Sequence, residues 1–176
     1  MANREALREL QSRLASRLQA ARTEGVQASW LAVEAAGARY LFPLAQSGEI
    51  FPFASSQPVP YTQAWFLGVA NLRGGLYGVV DLAGFVAGRA PAQRSDATRA
   101  ESRLVALNAM LEVNCALLID RLAGLRSLEA FSSSSEPPEG SPGYFGSGYT
   151  DANGAYWQEI NLQALSQQPQ FLSISA

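Results

Sequence analysis

The apolar positions of this chain change rhythm once, near residue 25, and the change separates a helical start from a strand-rich remainder. Between Arg4 and Arg22 there is no glycine or proline, and Leu7, Leu10, Leu14 and Leu18 recur at spacings of three, four and four. That recurrence gathers the leucines into one narrow helical stripe flanked by Arg and Glu. Such a stripe suits packing on the chain's own domain or on a partner, and the pattern leaves both open. Gly25 is the expected stop. The segments are therefore 1–25, an amphipathic helix, and 26–176, a domain of two lobes.

Beyond residue 25 the apolar runs are short, aromatic and β-branched. WLAVEA (30–35) and ARYLFPL (38–44) flank Gly37 and predict a hairpin. GEIFPF (48–53) reads as a strand with Pro52 at its end or edge, and AWFLGVANL (64–72) precedes a further apolar run ending on Asp81. RLVAL (103–107) and NCALLID (114–120) read as buried strands, and AYWQEINLQALS (155–166) as a strand entering a short helix. The polar stretches 87–102 and 132–148 read as loops. Many short strands separated by turn residues predict an all-β fold of sandwich or barrel type. The two long loops are expected to divide the strands between two small packed barrels, with helix confined to the ends.

Composition narrows the function more than the fold. The chain has 176 residues, 48% of them hydrophobic, and a net charge of −2. That is enough for one domain or two lobes sharing a core, with no overall field drawing it to nucleic acid or an anionic membrane. No apolar run approaches a membrane span, and the N-terminus is charged where a signal peptide needs apolar residues. A cytoplasmic protein without direct membrane insertion is expected, and the single cysteine, Cys115, agrees. There is no histidine, and all 13 basic residues are arginine. Histidine-based acid–base catalysis, Ser–His and Cys–His pairs, Schiff-base lysines and imidazole zinc sites are thereby excluded. No catalytic residue, metal site or cofactor is expected.

Two candidate constellations remain. VVDLAG (79–84) and LLIDRLAG (117–124) each end an apolar run on an aspartate, an arrangement that could bring Asp81 and Asp120 together as a hydrolytic dyad. The hydroxyl and glycine that normally follow such aspartates are missing, and a strand-end Asp is an ordinary turn or cap residue. Cys115, with no basic neighbour, reads as a core residue. The second constellation is GVANLRGGLYG (68–78), which is not a phosphate-binding GxGxxG. Its glycines read as geometric, with Gly74 and Gly75 supplying positive φ at a reversal and Gly78 relieving crowding within a strand. Arg73, with no carboxylate near it in sequence, is either a solvated surface residue or a fork of donors for a partner's carboxylate or carbonyls.

The run AWFLGVANLRGGLYGVVDLAGF (64–85) resembles the signature of the CheW family, the chemotaxis coupling proteins. ARYLFPLAQSGEI (38–50), SRLVALNAMLEVNCALLIDRLAGLRSL (102–128) and WQEINLQAL (157–165) resemble its other strands, in order. The N-terminal leucine helix and the closing PQFLSISA resemble the branch tied to type IV pilus twitching motility, the PilI-like proteins. The resemblance implies two packed five-stranded SH3-like barrels with an N-terminal α-helix and a short C-terminal helix. It implies a non-catalytic adaptor that couples the cytoplasmic tip of a methyl-accepting chemoreceptor to the regulatory domain of a CheA-type histidine kinase, recruited to receptor arrays. By position, Arg73, Asn71, Gly74 and Glu49 would meet the receptor, and Gln46 and Ser47 the kinase. Gly78 stands where the family commonly has proline. The alternatives are a hydrolase using Asp81 and Asp120, or a barrel binding single-stranded nucleic acid, which the acidic balance opposes.

Overall fold

The computed structural model describes the backbone of residues 2–176 and the side chains of residues 4–16 and 29–176. Helix α1 (Ala2–Gln27) runs two residues past Gly25 and leads directly into β1 (Ala28–Ala35). Leu7, Leu10 and Leu14 lie exposed on it. Leu18, the fourth member of the stripe, falls outside the described side chains.

The expected hairpin forms between β1 and β2 (Ala38–Pro43), from Trp30 opposite Pro43 to Ala35 opposite Ala38. Ala36 and Gly37 both take positive φ (49° and 78°), as a two-residue turn between twisted strands requires. The chain then leaves for a second sheet and returns only after Ile119. That second sheet has the order β3 (Ser47–Pro52), β6 (Arg103–Leu107), β7 (Cys115–Ile119), β5 (Gly75–Asp81), β4 (Phe66–Leu72). Gln57, just beyond β3, exchanges backbone hydrogen bonds of 2.8 and 2.9 Å with Val69 of β4, so the five strands curl round on themselves. The first sheet is completed by β8 (Arg121–Ser127), β9 (Phe131–Ser135), β10 (Phe145–Asp151) and β11 (Tyr156–Ile160), in the order β8-β1-β2-β11-β10-β9.

The two-lobe β architecture is as expected, but its division is not at the long loops. The five-stranded lobe is inserted within the six-stranded one. The sixth strand, β9, comes from the Ser-rich stretch read as loop. Its serines carry no apolar alternation, and backbone pairing to β10 (Ser133 opposite Thr150) makes it an edge strand. Helix is also not confined to the ends. α2 (Leu82–Ala87) and α3 (Asp96–Glu101) are each six residues long, too short to display a 3.6-residue period. Their caps are Asp81 and Ser95, whose side chains accept the N–H groups of Gly84 and Thr98. Beyond β11 lie α4 (Leu162–Ser166) and α5 (Pro169–Leu172).

The cores explain why several strands read as unbroken apolar runs. Along β1, Leu31, Val33 and Ala35 face the cluster between the lobes, while Trp30 and Ala32 face the interior of the six-stranded lobe. Along β7, Cys115, Leu117 and Ile119 join that same shared cluster, and Ala116 and Leu118 fill the five-stranded lobe. Each of these strands is buried on both faces, so period-two alternation is lost from the sequence. Burial pushes the Cys115 thiol up to about 12, consistent with an inert core residue. Trp65 packs edge-on against Phe85 and parallel to Phe171 in the shared cluster. It lies at the far end of β4 from the Arg73 turn.

Candidate functional site

The turn between β4 and β5 pairs Leu72 with Gly75, leaving Arg73 and Gly74 as its two central residues. Both have positive φ, 49° and 78°, the pattern of a tight hairpin turn. The positive φ expected at Gly75 therefore belongs to Arg73. A Cβ on Gly75 would instead approach the Tyr77 ring at 3.0 Å. The Asn71 side-chain oxygen accepts the Gly74 N–H at 3.0 Å and closes the turn from one side. Arg73 is not unpaired, for its Nη1 lies 2.6 Å from Oε1 of Glu49 on β3. The four residues expected to meet a receptor are thus brought together, three on one turn and the fourth across the sheet's curl.

Stability does not explain this arrangement. The side chains of Arg73 and Glu49 are 78% and 44% exposed, and a solvated pair of this kind contributes about 0–1 kcal/mol. A left-handed backbone at a residue with a Cβ costs about 1–2 kcal/mol. The turn spends at least as much on holding an arginine there as the ion pair returns. What results is a planar donor fork presented to solvent and oriented by Glu49.

Gln46 and Ser47 lie three and two residues before Glu49, where the chain crosses from β2 to β3. The Gln46 side-chain oxygen accepts N–H groups from Leu162 (2.7 Å) and Gln163 (3.4 Å) at the start of α4. The Ser47 hydroxyl donates to the Pro43 carbonyl at 2.9 Å. Both side chains hold the crossing between lobes. Gly78 has a physical reason to differ from proline. Its N–H donates to the Asn114 carbonyl at 2.9 Å, and a Cβ there would meet the Phe66 ring at 3.0 Å.

Asp81 and Asp120 are also brought together, around a residue that sequence reasoning missed. Arg94 Nη2 lies 2.5 Å from Asp81 Oδ1, and Arg94 Nε lies 2.6 Å from Asp120 Oδ1. The second oxygen of Asp81 accepts the Gly84 N–H, and that of Asp120 accepts the Ala36 N–H, each at 2.8 Å. Burial works to lower the Arg94 pKa, but hydrogen bonds and charge from the two aspartates outweigh it and hold the guanidinium above its ordinary value. A permanent cation wedged between the carboxylates is the opposite of a proton-sharing dyad. The constellation ties the 88–95 loop, two strand ends and the β1–β2 hairpin together. Arg94 sits in GRAPAQRSD, which has no periodicity; the only hint was the need of two similar Asp-ending runs for a counter-ion.

The profile of the CheW-like domain matches residues 29–170, from β1 into α5. The chain belongs to the CheW family. Membership makes it a CheW-like scaffold of chemotaxis-type signalling, a class without catalysis. The CheW-like fold is similar to the crystal structure of the scaffolding protein TtCheW from Thermoanaerobacter tengcongensis, with a TM-score of 0.60 and 18% identity. The match covers 74% of this chain and 86% of that one, a likeness of fold. No curated protein matches the sequence. Among the described residues, no helix is long and apolar enough to cross a membrane.

Proposed function

We propose that this CheW-like chain is an adaptor joining the cytoplasmic tip of a methyl-accepting receptor to the regulatory domain of a CheA-type histidine kinase. It acts in the cytoplasm at receptor arrays, and its output is twitching motility through type IV pili. The observation that carries this reading is Arg73, an exposed guanidinium held on a strained turn by Glu49, which stability alone does not account for. In this reading Arg73 and Glu49 meet polar groups of a receptor helix, Asn71 and Gly74 set the turn, and Gln46 and Ser47 fix the crossing segment beside the kinase. Association through two modest interfaces is the whole mechanism.

The test is quantitative mass spectrometry of proteins co-purifying with the tagged chain from its native cells, beside an Arg73→Glu variant. A receptor and a CheA-type kinase should be recovered, and the receptor alone should be lost from the variant. Recovery of neither from a folded, expressed protein would confine the family likeness to fold.

A further inference from the structure

A groove of about 460 Å³ opens between α2, α5 and the chain just before β10, within the ~300–1,000 Å³ of ligand sites. Its walls include Trp65, Phe85, Val86, Pro142 and Tyr144, and no charged side chain of the described residues lines it. Trp65 and Tyr144 are only 7% and 3% exposed. Among the described residues, neither the Trp65 indole N–H nor the Tyr144 hydroxyl has a hydrogen-bond partner. Neither is sealed from solvent, so both reach it through the groove they line. A buried Trp or Tyr normally gives its polar atom a partner. Two such donors left open between apolar walls are costly unless something else accepts from them.

The donors are held in place before anything binds. Trp65 meets Phe85 edge-on at 4.9 Å and lies parallel to Phe171 at 6.4 Å, which fixes its ring. Burial, and then Tyr40, push the Tyr144 hydroxyl up to about 12, so it keeps its proton at neutral pH. An ionised ligand would find no counter-charge here. An ordinary extended peptide would press backbone N–H groups against aromatic and aliphatic walls. A proline tract brings carbonyl oxygens and apolar rings without N–H groups, and is already extended as polyproline II. We propose that this groove docks a proline-rich segment of a partner protein, with the Trp65 N–H and the Tyr144 hydroxyl donating to its carbonyls. The proposal is independent of the role assigned to Arg73, which lies at the opposite end of β4 from Trp65.

The experiment titrates the full chain with a capped decaproline peptide and follows the Trp65 indole N–H in proton–nitrogen correlation spectra. Trp65→Phe identifies that resonance by its loss. Decaproline should shift it saturably, and a capped Gly-Ser peptide of equal length should leave it in place. Tyr144→Phe removes a hydroxyl bonded to nothing in the protein. It should keep the thermal unfolding transition while weakening the affinity for decaproline about fivefold. Absence of a saturable shift, an equal response to the Gly-Ser peptide, or an affinity unchanged in Tyr144→Phe would overturn the proposal. So would N-acetylprolinamide binding as tightly as decaproline, which assigns the groove to a small neutral molecule.

Discussion

The two ends of β5 carry arginine–carboxylate contacts of opposite kinds. At its start, Arg73 and Glu49 meet in solvent on a left-handed turn, through one contact of 2.6 Å. At its end, Asp81 is 1% exposed, caps α2 and meets Arg94, which also binds Asp120. Seven residues of one strand thus separate a site where all four carboxylate oxygens of two aspartates are engaged from one where most of a guanidinium's donors are left open. The same residue types at similar distances therefore do not imply the same role. Burial and the count of hydrogen bonds decide which pair holds the molecule and which is available to another.

The contrast can be broken most forcefully at the buried end. Arg94→Met would leave the buried Asp81 carboxyl without its ion partner, and removal of one partner from a buried pair costs about 3–5 kcal/mol. Urea denaturation should show a loss of that order. A loss under about 1 kcal/mol would place Arg94 with the surface pairs. Gly78→Pro tests the middle of the strand. It removes the donor to Asn114 and crowds Phe66, so a loss of about 1–3 kcal/mol is expected. Unchanged stability would show that the strand accommodates the proline common in the family. The smallest effect belongs to Arg73→Gly. The substitution relieves the left-handed strain and loses an exposed ion pair, so stability should change by less than about 1 kcal/mol. A destabilisation above about 2 kcal/mol would make Arg73 a structural residue and erase the difference between the ends.

Sequence reasoning reached the exposed end of β5 more readily than the buried one. Asn71, Arg73 and Gly74 lie within four residues and their turn chemistry is local, so the reversal could be read there, with the positive φ expected at Gly75 in place of Arg73. Glu49 came through family position, because the curl of the sheet that brings β3 to β4 leaves no local trace. Arg94 was illegible because a buried ion network is defined by three distant segments, and the arginine itself lies in a stretch that looks like any solvated loop. The strands on the shared cluster could be recognised by their apolar density, while β9 could not, since Ser132 to Ser135 form a strand through backbone pairing with β10. The nesting of one lobe in the other was equally hidden. Strand order depends on which apolar faces meet, and loop length does not report that.

That nesting sets an order on the ribosome. β2 pairs in parallel with β11, Tyr40 opposite Gln158, so the hairpin made first waits for the strands made last. At ordinary elongation rates the wait is on the order of ten seconds. The inserted lobe, β3 to β7, can assemble in the meantime, and the apolar face of β1 and β2 can settle on it through the shared cluster. The six-stranded lobe then closes around a template already in place, which makes the middle of the chain the nursery for its two ends.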